Sequence, residues 1–190
     1  MKSGKILVLL VATLCCTIFM VTAVSALETA GPAASAISPD YIHKQLFWSP
    51  GNNAMLNEDF ATLVVASRHT FFGYQLTLRP NQWAYVEMPV VIPTKIDGNK
   101  TWVRYLFIDY KANPAGGPGN ITHVSVYNRD TEVYSQDVDW APPAITRYPV
   151  DLKKWIHFPS AINIQLTFKN PTQKTGYNHL YGAGALVEFN

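Results

Sequence analysis

The chain has 190 residues, with 15 Lys and Arg against 13 Asp and Glu, a formal charge of +2, and two cysteines. That length suits one domain with a sizeable core, and the near-neutral balance lacks the basic stripe that nucleic-acid or anionic-lipid partners select. The cysteines are adjacent, Cys15 and Cys16, which excludes a small disulfide-stapled scaffold.

The first 26 residues read MKSGKILVLLVATLCCTIFMVTAVSA. Lys2 and Lys5 form a positive n-region, an apolar run extends from Ile6 to Val24, and Val24-Ser25-Ala26 offer slender residues to a signal peptidase. A retained membrane anchor is the alternative, because the run approaches the ~20 residues that span a bilayer. Thr13, Thr17 and Thr22, with the small-residue end, favour a signal peptide over residues 1–26. Leu14 is too large for a lipoprotein box before Cys15. Cleavage removes both cysteines and two lysines, leaving 13 cations against 13 anions and no thiol chemistry. The expected destination is the cell surface or the medium, with no membrane insertion of the mature chain and no nucleic-acid partner.

Residues 27–40, LETAGPAASAISPD, are rich in small residues and Pro and read as a flexible leader. From Tyr41 onward the texture is aromatic and β-branched, and 41–190 read as a single domain. Ala54–Ala66 fits either a helix capped by Asn53 or a loop entering a strand at Phe60. Strands follow at Thr70–Leu78 and Gln82–Val91. KIDGNK then places Asp97-Gly98 where a type I′ hairpin turn belongs. A two-residue turn there opposes Met88 to Phe107 and Tyr85 to Tyr110. Val86, Met88, Val103, Tyr105 and Phe107 would share the core face; Trp83, Tyr85, Glu87, Arg104, Leu106 and Ile108 would share the other.

The next strand is Thr101–Lys111. AGGPGN, residues 115–120, lacks the Lys-Ser/Thr of a phosphate loop and runs into ITHVSVY, so it reads as a connection to strand Ile121–Asn128. Thr131–Gln136, Tyr148–Ile156, Ala161–Lys169 and Tyr181–Phe189 complete the set. In Ala161–Lys169 the apolar Ile162, Ile164, Leu166 and Phe168 alternate with Asn163, Gln165, Thr167 and Lys169, the period of a strand with one face on a core. About eight to nine short strands predict an all-β fold, an antiparallel two-sheet β-sandwich of jelly-roll type.

NQWAYVEMPVVIP, VRYLFIDY, ITHVSVYNRD, AINIQLTF and YGAGALVEF, in that order, resemble a family of small β-sandwich domains of unknown function. The resemblance spans about residues 82–189 and implies the fold alone. Asn128-Arg129-Asp130 departs from it where the family pattern favours a glycine turn.

Catalytic motifs are absent: there is no G-x-S-x-G, H-E-x-x-H or EF-hand loop. His43, His69, His123, His157 and His179 are scattered singly, with His123 and His157 the best placed of them. Asp137 and Asp139 put two carboxylates on one face of an extended segment, a beginning for a calcium site; the alternative is a polar strand end. Asn57-Glu58-Asp59 carries the same two readings. Glu87, Asp109, Glu132 and Asp137 supply carboxylates for glycoside hydrolysis only if folding opposes two of them about a sugar.

Aromatic residues are the more suggestive feature. Trp48, Trp83, Trp102, Trp140 and Trp155 accompany ten tyrosines. Trp83, Tyr85 and Glu87, with Arg104 on the neighbouring strand, are the candidate ligand-binding residues, their rings laid against sugar faces. The alternative, favoured by how often such rings are buried, is an aromatic core between sheets. Asn99 and Asn120 match the N-glycosylation pattern. The leading reading is a non-catalytic surface or secreted module binding a carbohydrate or other surface ligand. A self-assembling structural subunit is the alternative, and a polysaccharide hydrolase comes third.

Overall fold

The computed structural model describes residues 43–113 and 119–190. Residues 1–26, the leader 27–40 and residues 114–118 of the Gly-Pro connection lie outside them. Thirteen antiparallel strands are described: β1 (His43–Pro50), β2 (Met55–Leu56), β3 (Val64–Thr70), β4 (Gly73–Leu78), β5 (Trp83–Val90), β6 (Lys95–Ile96), β7 (Asn99–Lys100), β8 (Trp102–Asn113), β9 (Asn120–Asn128), β10 (Thr131–Trp140), β11 (Thr146–Ile156), β12 (Ile162–Lys169) and β13 (Gly176–Phe189). They form a six-stranded sheet, β11-β8-β13-β4-β3 with β1 also on β13, and a five-stranded sheet, β10-β9-β12-β5-β2. Most successive connections cross from one sheet to the other, giving a jelly-roll-like antiparallel β-sandwich.

The core lies between the sheets and is mainly aliphatic. Val86 and Met88 of β5 and Ile164 and Leu166 of β12 meet Leu76, Leu106, Ile108 and Val187 from the opposite sheet, all fully buried or nearly so. Each such side chain contributes roughly 1.5–3 kcal/mol through loss of contact with water. Tyr110 on β8 meets Phe168 on β12 edge-on across the sandwich, with centroids 5.7 Å apart. The alternation read in β12 is present residue by residue: Ile162, Ile164, Leu166 and Phe168 are buried, whereas Asn163, Gln165 and Thr167 face outward.

Two sequence expectations are corrected. KIDGNK does form the expected turn, with Asp97 at φ 50° and Gly98 at φ 83°. Lys95 pairs with Lys100 and Ile96 with Asn99, but the pairing ends there. β5 continues into the five-stranded sheet against β12, and β8 enters the other sheet between β11 and β13. Met88 opposes Ile164, not Phe107, and Tyr85 opposes Thr167, not Tyr110. The β8 faces are also exchanged. An irregularity at Arg104–Tyr105, where both neighbouring ladders shift register, turns Leu106 and Ile108 into the core and Tyr105 and Phe107 outward.

In Ala54–Ala66 the cap is Asn57, whose Oδ1 accepts from Asp59 N at 3.1 Å. A short 3₁₀ segment, Glu58–Leu63, follows, and the strand starts at Val64 instead of Phe60. At the β9–β10 hairpin, Arg129 takes φ 56°, the left-handed conformation that glycine adopts most readily.

Candidate functional site

The fold aims the alternate, non-core residues of β5, β12, β9 and β10 onto one outer face. Cross-strand register sorts them into rungs. Tyr85 lies beside Thr167, Thr167 beside His123, and His123 beside Asp137. The next rung is Glu87, Gln165, Ser125 and Ser135, and beyond it stand Asn163, Tyr127 and Glu132. These are mostly neutral hydrogen-bonding side chains on a rigid ladder.

Three rings close one side of this face. Phe60, carried by the 3₁₀ segment, lies 4.5 Å from Trp83 and 4.8 Å from Tyr85, and Trp83 lies 5.0 Å from Tyr85. Their mutual tilts hold the cluster rigid without stacking every ring face away. Glu87 follows on the same strand and accepts from Asn163 Nδ2 at 3.3 Å. Beside it opens a recess of about 390 Å³ lined by Met55, Leu56, Asn57, Glu58, Asp59 and Glu87. Trp83, Tyr85 and Glu87 are therefore brought together, and Asn57-Glu58-Asp59 joins them. Phe60 and the polar rungs were missed as site residues, although the β12 alternation already put Asn163, Gln165 and Thr167 on the water side.

The reading of the tryptophans as core is overturned. Trp48 and Trp83 are each 38% exposed, Trp102 and Trp155 each 42%. Trp140 stacks on Tyr148 at 4.2 Å as a half-buried ring beside the core. The rings that enter the space between the aliphatic faces are Tyr74, Tyr110, Phe158 and Phe168.

Arg104 is not on the strand neighbouring Trp83, because the hairpin divides between sheets. It lies on the other sheet, where Nε and Nη2 donate to Asp151 at 3.1 and 3.4 Å. Its guanidinium also sits 6.0 Å from the Trp155 ring. There Trp102, Trp155, Phe189 and Glu188 line an apolar recess of about 310 Å³. The Arg104 hydrogen bonds, with a 2.9 Å bond from Lys153 N, hold the Asp151 carboxyl at about 2 against its ordinary 3.8. A depressed value means stabilisation that is full above 3.8 and lost as pH falls through about 2. Carboxyl carbon resonances should show Asp151 titrating near 2, returning towards 3.8 in Arg104→Gln.

Among the histidines, His43 stacks on Phe189, His69 packs on Tyr74, and His157 Nδ1 donates to Thr101 O at 2.9 Å. His123 and His157 are not brought together by any pairing of their strands. His123 Nδ1 donates to Asp137 Oδ1 at 2.6 Å, while Nε2 lies 2.9 Å from Ser135 Oγ and 3.1 Å from Ser125 Oγ. The connectivity is that of a Ser-His-Asp relay, but its environment is not. The Asp137 side chain is 95% exposed on edge strand β10, in contrast to the buried, orienting carboxylate of such a relay.

Asp139 is engaged separately, accepting from Asn120 Nδ2 at 2.6 Å. Among the described residues no group of three or more His, Cys, Asp or Glu gathers as a metal site. The glycosidase carboxylates are also separated. Asp109 lies on the other sheet, bound by Arg147 at 2.8 Å through both oxygens. Glu87 and Asp137 stand three strands apart, at least about 14 Å between backbones.

The glycosylation candidates differ in access. Asn99 is exposed at a hairpin tip, where its amide donates to the carbonyl of Asn190, whereas the amide of Asn120 is held against Asp139. Expression in a glycosylating host should add one glycan, at Asn99, seen as a single intact-mass increment removed by Asn99→Gln.

No protein-family model matches the chain, and no curated protein matches it in sequence. Among solved structures, the chain is similar to the carbohydrate-binding module CBM36 in complex with calcium and xylotriose, with 13% identity, TM-score 0.39, and coverage of 75% of this chain and 98% of that one. It is similar to TmCBM61 in complex with beta-1,4-galactotriose, with 7% identity, TM-score 0.37, and coverage of 75% and 86%. A family 35 carbohydrate-binding module from Clostridium thermocellum gives 11% identity, TM-score 0.39, and coverage of 74% and 97%. At these TM-scores no residue, ligand or metal carries across.

Proposed function

We propose that this is a non-catalytic, exported or surface-held module that binds a neutral carbohydrate across the outer face of its five-stranded sheet. The observation that supports this reading is the Phe60–Trp83–Tyr85 cluster at the border of ordered polar rungs. Ring faces cover the apolar C–H faces of a pyranose, while Glu87, Asn163, Gln165 and Thr167 pair with its hydroxyls. Each hydrogen bond contributes about 0.5–1.5 kcal/mol after exchange with water. Glu58, Asp59 and Glu87 along the adjoining recess repel an acidic sugar, which favours a neutral one.

A glycan array probed with the purified protein tests this reading. Retention of neutral oligosaccharides, competed by the same sugar free in solution, is the expected result. Asp137 and Asp139 supply two carboxylates towards the roughly six to eight oxygens calcium requires. They do not make a site by themselves, and the reading includes no calcium. Asp109 and Asp137 stand away from Glu87, but Glu58, Asp59 and Glu87 line one recess, so release of reducing sugar from the bound oligosaccharide is the check on the hydrolase reading.

A second reading, self-association, has one specific observation in its favour. Phe71 is 93% and Phe72 69% exposed in the turn beside edge strand β3. Two adjacent exposed phenyl rings at an open strand edge favour pairing with another copy. Sedimentation showing concentration-dependent assembly, abolished by Phe71→Ser with Phe72→Ser and unaffected by sugar, would support it.

A further inference from the structure

A third recess, of about 380 Å³, opens on the outer face of the six-stranded sheet. One rung crosses four strands there. Lys111 of β8 opposes His179 of β13, His179 opposes Gln75 of β4, and Gln75 opposes Arg68 of β3. Tyr177 and Tyr181 stand two residues to either side of His179, and Thr77 opposes Tyr177. Tyr181 stacks on His179 with centroids 4.1 Å apart. Arg68 Nε donates to Gln75 Oε1 at 2.6 Å, and Thr70 Oγ1 lies 3.4 Å from His179 Nε2.

The charge in this recess has one sign. Its lining contains no carboxylate, and among the described residues neither Arg68 nor Lys111 has an acidic partner. Asp109, two residues before Lys111 on β8, is committed to Arg147. Arg104 and Arg147, on the same sheet, are by contrast each paired with a carboxylate, Asp151 and Asp109.

We propose that this recess binds an oxyanion, the carboxylate or sulfate of an acidic saccharide unit, between Arg68 and Lys111, with Tyr181 and Tyr177 bordering the rest of the ligand. A guanidinium and an ammonium both donate charge-assisted hydrogen bonds to such an oxygen group. Backbone pairing fixes both cations on one rung, so their potentials add over the recess. The volume falls at the small end of ligand sites, about 300–1,000 Å³. His179 already registers the field: burial first, then Lys111 and Arg68, hold its pKa below the ordinary 6.5. An anion cancels the effect of those two charges and raises it. Binding therefore strengthens as pH falls through the His179 range, with Lys111, Arg68, Gln75, Thr70, Tyr177 and Tyr181 the groups facing the ring.

The test is an NMR titration of the His179 imidazole in the full chain at constant ionic strength, with sulfate, D-glucuronate or D-glucose added. Sulfate and D-glucuronate should raise its midpoint by about half a unit or more, saturably, while D-glucose leaves it unmoved. Arg68→Gln with Lys111→Gln should lose the response and keep the parent melting temperature. Tighter D-glucuronate than sulfate assigns the anion to a saccharide; equal or weaker D-glucuronate keeps the oxyanion site but overturns its assignment to a saccharide. No saturable shift with either anion up to about 50 mM, or the same shift in the double variant, overturns it. Trp83 takes no part, so this result stands apart from the neutral-sugar face.

Discussion

Gly73→Ala is expected to destabilise the domain by roughly 3 kcal/mol or more, a large share of a domain's total stability. Gly73 has φ +143°, and a Cβ there would lie 2.2 Å from the carbonyl oxygen of Leu180. From the other side, a Cβ on Gly51 would lie 2.0 Å from the same oxygen. That carbonyl sits where β13 changes partners: Leu180 pairs with Tyr74 of β4, and Gly182 pairs with Pro50 of β1. β13 cannot retreat, because the Leu180 side chain is fully packed in the core. The turn before Gly73 is tied as well, with Thr70 Oγ1 donating to Gly73 O at 2.8 Å. Strain and clash therefore add. Gly98→Ala is the control, since its φ of +83° is strained but its Cβ meets open space. It should cost only about 1–2 kcal/mol. Urea melts that place the two variants together would contradict this account of the β13 junction.

Trp83→Ala is expected to weaken saccharide binding at least about tenfold while the fold persists. Trp83 is 38% exposed, so the core keeps its packing, but Phe60 and Tyr85 lose the ring that holds their tilt. The loss removes both a contact face and the rigidity of its neighbours. Trp102→Ala, on the opposite sheet beside the Trp155 recess, should leave binding unchanged. Calorimetry showing the reverse pattern would move the sugar to the Trp102–Trp155 recess.

Much of this was readable from local pattern. The period-two alternation of Ile162–Phe168 fixes which side of β12 is core, because a one-residue error would put four large apolar side chains in water. Asp97-Gly98 specifies its turn through the φ angles those residues tolerate. What lay beyond the pattern is the partner each strand takes after the turn. Lys95–Lys100 pairing says nothing about β5 joining β12, about 70 residues downstream, since cross-sheet burial decides that. A continuous hairpin puts Arg104 on the Trp83 face; the divided hairpin does not, and one irregular step in β8 exchanges the outward residues. Phe60 was hidden for a different reason: its placement depends on a 3₁₀ segment capped by Asn57, too short to carry a periodic signal. The rung Lys111–His179–Gln75–Arg68 joins the local β3–β4 hairpin to β8 and β13, both distant in sequence, so no spacing could announce it.

The most direct test is an amide and indole NMR titration of the wild-type protein with the neutral oligosaccharide that ranks highest on the array. The account predicts shifts concentrated on the Trp83 indole, Tyr85, Glu87 and the outward residues Asn163, Gln165 and Thr167, with Trp102 and Trp155 silent. Shifts confined to Trp102, Trp155 and Phe189, or none at saturating sugar, would contradict it.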